Sequence, residues 1–210
     1  MSAPTKQKIL EAAARCFNRS GVANTRLQHI ADEAGMSVGN MAYHFRTKEI
    51  IVGAIWEEIE ARQKTLMAEF RVLPLFEDIE RHLREEFALQ QAYRFFYQDT
   101  LDLLRTFPEI ATAHRMHWHW QTQQIGFMIV FNVSRGAFLS ELFPGHHEAL
   151  AAQYWAAAET WLYLRVMQGK DPGDFDDFRN SQWKILQPVF SDMGRHEFSQ
   201  LNALILGNYF

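Results

Sequence analysis

Between Leu27 and Phe45 the chain has to form two short helices with a sharp turn between them, and no other segment restricts its fold as tightly. Leu27, Ile30, Ala31 and Ala34 recur at helical spacing, and Gly35 stands where a helix ends in a left-handed residue. Ser37 is placed to cap a second helix, which carries Met41 and Phe45 inward, four residues apart. Two short helices joined by a glycine-containing turn is the geometry that lays the second helix in the major groove of duplex DNA. The competing reading is an ordinary helical hairpin in which Gly39 has no external role.

The helical period says which residues face a partner. At about 100° per residue, Ser37, Val38, Met41 and Phe45 fall on one side of the second helix. Gly39 and Tyr43 fall opposite, flanked by Asn40 and Ala42. A glycine there lets the helix backbone approach another surface closely. Asn is a bidentate reader of adenine, Tyr and His donate to phosphate, and Lys48 adds a cation just beyond. The candidate DNA-contacting set is Thr25, Arg26, Ser37, Val38, Gly39, Asn40, Tyr43, His44 and Lys48. Asn40 is expected to read bases, and Thr25, Tyr43 and Lys48 to position the backbone.

Charge is distributed to match. The chain carries a formal net charge of −4, which alone argues against nucleic acid. Yet residues 1–50 hold seven Lys/Arg against four Asp/Glu, while the rest of the chain holds 14 against 21. A basic head on an acidic body is what phosphate binding by one end requires.

Thr5, Ile9, Ala12, Ala13, Phe17, Gly21, Thr25, Ile30, Ala31, Ala34, Gly35, Ser37, Gly39, His44, Phe45, Lys48 and Glu49 stand at the spacing of a long, dense signature. In these residues the chain resembles the tetracycline-repressor (TetR) family of transcriptional regulators. The resemblance implies an all-helical homodimer with an N-terminal three-helix helix-turn-helix DNA-binding domain, expected at 1–50. It also implies a variable C-terminal helical bundle for effector binding and dimerisation, expected at 51–210. The expected partners are double-stranded operator DNA, a small-molecule effector and a second copy of the chain. One departure stands out: the family usually has a phosphate-touching Tyr where this chain has Ala42.

The remaining composition removes other classes. Hydrophobic content of 48% and aromatic content of 14% exclude disorder. The single cysteine, Cys16, allows no intrachain disulfide and shares a helix face with Ile9, Ala12, Ala13 and Phe17, as a core residue would; a redox-sensing thiol is the alternative. The N-terminus has no signal-peptide apolar region, and the longest apolar run, Phe127 to Phe131, is too short to span a bilayer. A cytoplasmic protein without membrane contact is expected. No Glu-x-x-His pair, Ser/His/Asp arrangement or phosphate-cradling glycine loop supports an enzyme, and no cofactor is implied.

Along the chain the pattern predicts a first helix from Thr5 to Ser20, stopping at Gly21. Thr47 caps a helix running to about Val72 with Ile51, Ile55, Ile59, Leu66 and Phe70 as its apolar stripe. The body reads as a helix after Pro74 with Phe76, Ile79, Leu83 and Phe87 inward, then Arg94–Arg105, then Pro108 to about Arg135, then Glu148–Gln168, then Phe175–Leu186, and a last helix through Leu206. With no strand-like alternation, the fold class is all-α.

Three constellations in the body bear on function. Ala149–Met167 is apolar around much of its circumference, which suits a subunit interface, or else an internal core helix; the resemblance implies an interface shared with Phe175–Leu186. His114, His117 and His119 invite a metal, but no Cys or nearby carboxylate completes a set, and none is expected. The aromatics around Trp118 and Trp120 are either plain core or the wall of a small-molecule pocket, with His117, Trp118, Gln121 and Gln124 as its contacts.

Overall fold

Gly35 adopts the left-handed backbone the turn needs, with φ of 64°. A side chain with a Cβ is disfavoured there, so the glycine decides where the helix stops. Its N–H donates to Asp32 O at 3.0 Å and the Met36 N–H to Ala31 O at 3.0 Å, the paired bonds of a Schellman end. Three residues upstream of Asn40, the Ser37 hydroxyl accepts from the Asn40 N–H at 3.2 Å and opens the next helix.

A computed structural model describes residues 3–70 and 73–207. Its helices are α1 (Ala3–Asn24), α2 (Leu27–Glu33), α3 (Val38–His44), α4 (Lys48–Phe70), α5 (Phe76–Ala92), α6 (Arg94–Gln98) and α7 (Thr100–Thr106). They continue with α8 (Pro108–Ser134), α9 (His146–Glu159), α10 (Trp161–Met167), α11 (Phe175–Leu186) and α12 (Asp192–Gly207). The described residues hold no strand, only an isolated antiparallel bridge between Phe138 and Phe190. The chain is all-α, as expected. It divides into two compact units, Met1–Arg62 with Leu89–His114, and Gln63–Ala88 with Arg115–Phe210.

In the first unit α1 breaks at Gly21, with φ of 73° and ψ of 161°, where the sequence places its stop; a last turn then carries it to Asn24. Ile9, Ala12, Ala13, Cys16 and Phe17 of α1 close over Ile30, Ala31, Ala34, Met41 and Phe45, all buried. The Asn18 side chain accepts from Phe95 N at 3.0 Å and donates to Ala92 O at 2.8 Å, satisfying backbone groups on both sides of the α5–α6 break.

The second unit is held by aromatic packing. Phe76 lies 5.2 Å from Trp183 and 5.0 Å from Phe190, centroid to centroid, and Phe198 closes on Trp183 at 4.9 Å. Beside this cluster the Arg179 Nε donates to both Glu80 oxygens at 2.7 Å, and Trp183 Nε1 donates to Glu80 Oε2 at 2.8 Å. Arg135 grips Glu197 through two bonds of 2.7 and 3.0 Å.

Two expected helices are each split. Arg94–Arg105 divides at Asp99 because Phe95, Phe96 and Tyr97 are all buried, and consecutive residues 100° apart cannot share one face of a straight helix. Glu148–Gln168 divides at Thr160, whose hydroxyl is drawn to Ala156 O at 2.7 Å, a back-bond that bends helices. The α4 stripe also shifts: Ile51, Ile55 and Ile59 are buried as expected, but it continues through Gln63 and Met67, with Leu66 half-buried. Val72 and the Phe70 side chain lie outside the described residues.

Candidate functional site

On α3 the buried side is Met41, with Phe45 just beyond, and the outward side is Gly39, Asn40 and Tyr43. Tyr43 is 67% exposed, its ring edge-on to His44 at 5.4 Å. Val38, Ala42 and His44 are half-buried along the flanks, and Ser37 is exposed. Of the expected DNA set, Gly39, Asn40 and Tyr43 are exposed on the outward side of α3, Ser37 is exposed at its cap, and Arg26 is exposed at the start of α2.

Gly39 is informative because nothing in the fold asks for it. It lies in a helix with ordinary φ, and a Cβ there would meet no atom within 4 Å. Glycine inside a helix costs roughly 1 kcal/mol relative to alanine. A residue that weakens its own helix while relieving no internal crowding points to a surface that approaches from outside.

Two expected contacts have partners inside the fold. Thr25 is 1% exposed, and its hydroxyl donates inward to Gly21 O at 2.8 Å, so it locks the α1–α2 turn and has no hydroxyl to offer phosphate. Lys48 Nζ donates to Val22 O at 2.7 Å and Ala23 O at 3.4 Å, so its ammonium caps the end of α1 while keeping its charge and a third N–H donor. The basic surplus is also rearranged. Arg15 and Arg19 both hydrogen-bond Glu33, at 2.8 and 3.2 Å, which keeps that carboxyl below its usual range. Lys6, Lys8, Arg26 and Arg46 are exposed and enter no ion pair among the described residues. Arg46 was missed in the sequence-based set, although its charge and its place at the end of α3 were in view. The Thr47 cap forms as expected: its hydroxyl accepts from Ile50 N at 3.4 Å and holds the Glu49 carboxyl below its ordinary value. Burial pushes the Cys16 thiol up and away from reactivity, consistent with a core role.

In the second unit His117, Gln121 and Gln124 are buried at the one-turn and two-turn spacing of a single α8 face, while Trp118 is half-buried beside it. His117 Nε2 lies 2.7 Å from Gln63 Oε1, and Gln63 Nε2 donates to Glu86 Oε1 at 3.0 Å. Trp120 stacks on His117 at 5.5 Å. Gln63 and Glu86 were missed because their partners lie 54 and 23 residues away, a distance no helical period reports. Burial, with the Glu80 and Glu86 carboxylates adding to it, pushes the Tyr154 phenol up. His119 instead meets Gln123 at 3.1 Å on the exposed side. No three His, Cys, Asp or Glu gather as a metal site, and no helix is long and apolar enough to cross a membrane, among the described residues.

His82 gives this interior a pH signature. Burial pushes its pKa from 6.5 to about 4. The unfolded chain therefore takes up a proton below pH 6.5 that the native state refuses until about pH 4. Its contribution is fully present above pH 6.5 and lost as pH falls, about 3 kcal/mol across the window. Urea unfolding from pH 6.5 to 5, above the carboxylate range, is expected to lose up to about 1.4 kcal/mol per pH unit. An unchanged slope in His82→Gln would assign that loss to another group.

The Ala149–Met167 segment divides into two faces. Trp155 and Trp161 lie in the protomer's own core, with Trp161 against Phe178 at 5.5 Å, so these two serve as internal core and not as interface. The outer stripe is Gln153, Ala156, Ala157, Thr160, Tyr163, Leu164 and Met167, half-buried or exposed.

A capped short helix carried on a three-helix scaffold, with glycine, asparagine and tyrosine outward, defines a helix-turn-helix protein. Residues 9–55 match the model for bacterial regulatory proteins of the tetR family, and residues 57–198 match that for bacterial transcriptional repressor. The chain belongs to the tetR family of bacterial regulatory proteins. It is 37% identical over 67 residues to the HTH-type transcriptional regulator AcrR of Shigella flexneri, a match covering 32% of this chain and 31% of that one. It is 31% identical over 104 residues to the HTH-type transcriptional regulator RutR of Escherichia coli K12, covering 50% and 43%. The chain thus matches less than half the length of either relative. A TetR-family transcriptional regulator from Marinobacter aquaeolei VT8 shares the fold with a TM-score of 0.82 at 21% identity, over 95% of this chain and 97% of that one.

Proposed function

We propose that this chain is a DNA-binding transcriptional repressor, without catalytic activity, acting in the cytoplasm. Residues 1–50 grip operator DNA, and residues 51–210 dimerise and receive a small molecule that releases it. The observation that carries the reading is Gly39, a helix-weakening residue the fold does not need, on the outward face beside Asn40 and Tyr43. Arg26 and Arg46 supply phosphate contacts around it, and His44 and Val38 frame its edges. Lys48 acts mainly by holding the turn that presents α3. A single short reading helix meets few base pairs, so two copies are required on a roughly two-fold site.

The experiment is a pair of substitutions in the full chain. Gly39→Ala is expected to stabilise the protein by up to about 1 kcal/mol while weakening operator binding at least tenfold, because a methyl group stands where the groove approaches. Asn40→Ala is expected to cost roughly 1–3 kcal/mol on the operator and to relax preference at one base pair, with little change on non-specific DNA. Stability and binding moving together in Gly39→Ala, or Asn40→Ala weakening every sequence equally, would count against the groove-reading role.

Release follows only if the effector binds two arrangements of the paired reading helices unequally. Reciprocity is then compulsory: saturating operator DNA weakens effector binding by the same factor by which the effector weakens operator binding. The effector site assigned is the α8 face of His117, Gln121 and Gln124, with Trp118 beside it as a fluorescence reporter.

A further inference from the structure

Gln121 is completely buried, and neither its Nε2 nor its Oε1 finds a hydrogen-bond partner among the described residues. One turn on, Gln124 is buried with its Oε1 also unpartnered. Buried polar atoms are overwhelmingly satisfied, and each exception needs a reason. A plain core would place leucine at both positions, with no desolvation cost. Three unmet atoms on adjacent turns of α8 form a hydrogen-bonding surface built for something that is not protein.

The commitments of the second unit's buried and half-buried charges bear on what kind of molecule fits. The buried guanidinium of Arg179 is taken by Glu80, and that of Arg165 by Asp177. His82 is uncharged at neutral pH. Arg135 is held by Glu197. An anionic ligand would find no uncommitted cation among these groups, and His117 on the same α8 face is engaged by Gln63 Oε1 at 2.7 Å and by further interactions. On the acid side Glu80 is filled by Arg179 and Trp183, and Glu86 is engaged by Gln63 and further interactions. A buried charge without a partner costs several kcal/mol, so the surface favours an uncharged group.

Resting on the effector reading above, we infer that the α8 face of Gln121 and Gln124 binds an uncharged molecule through a carboxamide-like group: a carbonyl with adjacent N–H donors, on an apolar or aromatic body. The ligand carbonyl accepts from Gln121 Nε2, one ligand N–H donates to Gln121 Oε1, and a second N–H donates to Gln124 Oε1. This satisfies all three protein atoms at once and uses the donor count of a primary amide. The body lies toward the buried Ile125 and Met128 of the same helix. Recognition of this kind rejects an isostere lacking the N–H groups strongly, because the glutamine oxygens are then left unmet.

The test is calorimetric titration of the full-length protein at neutral pH with benzamide, benzoate, benzylamine and toluene. Benzamide is expected to bind, with each of the others at least tenfold weaker. Gln121→Leu is expected to fold, to melt no lower than the parent, and to lose at least tenfold in benzamide affinity, whereas exposed Gln123→Leu keeps it. As a readout independent of that variant, the side-chain NH₂ resonances of Gln121 in the parent should shift on adding benzamide. Benzamide binding governed by Gln121 supports the assignment even if operator affinity does not change, a result that would remove only the release reading. Equal binding of benzoate or toluene, benzamide affinity unchanged in Gln121→Leu, or no binding of any of the four at millimolar concentration would overturn it.

Discussion

Ala157→Glu is expected to convert the proposed dimer into folded monomers and to carry operator affinity down with it. Ala157 is half-buried on the outer stripe of α9, and the same stripe continues through Tyr163, Leu164 and Met167, the last 67% exposed. Small side chains let a second helix come close, and exposed apolar ones supply the area it covers. A carboxylate placed in such a contact loses its water without gaining a partner, a penalty on the order of 3–5 kcal/mol. That corresponds to a dimer weakened a few hundredfold or more. Sedimentation velocity at micromolar concentration reads the assembly, circular dichroism reads the fold, and operator titration reads the consequence. A folded Ala157→Glu protein that still sediments as a dimer would move the interface to another face. Trp161 is unsuited to this test, since it lies in the protomer core and a charge there would unfold the chain.

The second large effect concerns the interior. Removing the carboxylate in Glu80→Ala is expected to destabilise the protein by about 3–5 kcal/mol. Glu80 and Arg179 are both buried, and the carboxylate also accepts from Trp183 Nε1. Arg179 reaches Asn202 Oδ1 at 2.7 Å, so one ion pair ties α5, α11 and α12 together. Without Glu80 a guanidinium and an indole N–H remain buried and uncompensated, which is why deleting one partner costs more than replacing both. The double variant Glu80→Met, Arg179→Met should recover most of the loss. Chemical denaturation of the two variants checks the claim. A single variant within about 1 kcal/mol of the parent would mean that water reaches the pair.

The short-range devices of the DNA-reading end were legible from residues alone. Gly35 ends α2, Ser37 caps α3, Thr47 caps α4, and Met41 with Phe45 marks the buried side. Caps, turns and faces depend on residues within about one helical turn, so spacing reports them directly. The inner face of α5 and the all-α class were legible for the same reason. Which surface groups remain available was decided elsewhere. Thr25 and Lys48 look like backbone contacts in sequence, but Gly21, Val22 and Ala23 carbonyls claim them once α1 folds back. Arg15 and Arg19 look like part of a basic head until α2 brings Glu33 to them.

The body shows the same division at longer range. Sequence singled out His117, Gln121 and Gln124 but not Gln63 or Glu86, which meet His117 only through the packing of α4, α5 and α8. It also could not separate the two faces of Ala149–Met167, because a helix apolar nearly all round has no periodic contrast to read. Tertiary packing broke that tie by taking Trp155 and Trp161 inward and leaving Ala157, Leu164 and Met167 outward. Local order follows from hydrogen-bonding geometry and side-chain period, properties of adjacent residues. The commitment of a charge, an amide or an apolar face depends on competition among all groups that reach it, and only the folded chain sets which groups those are.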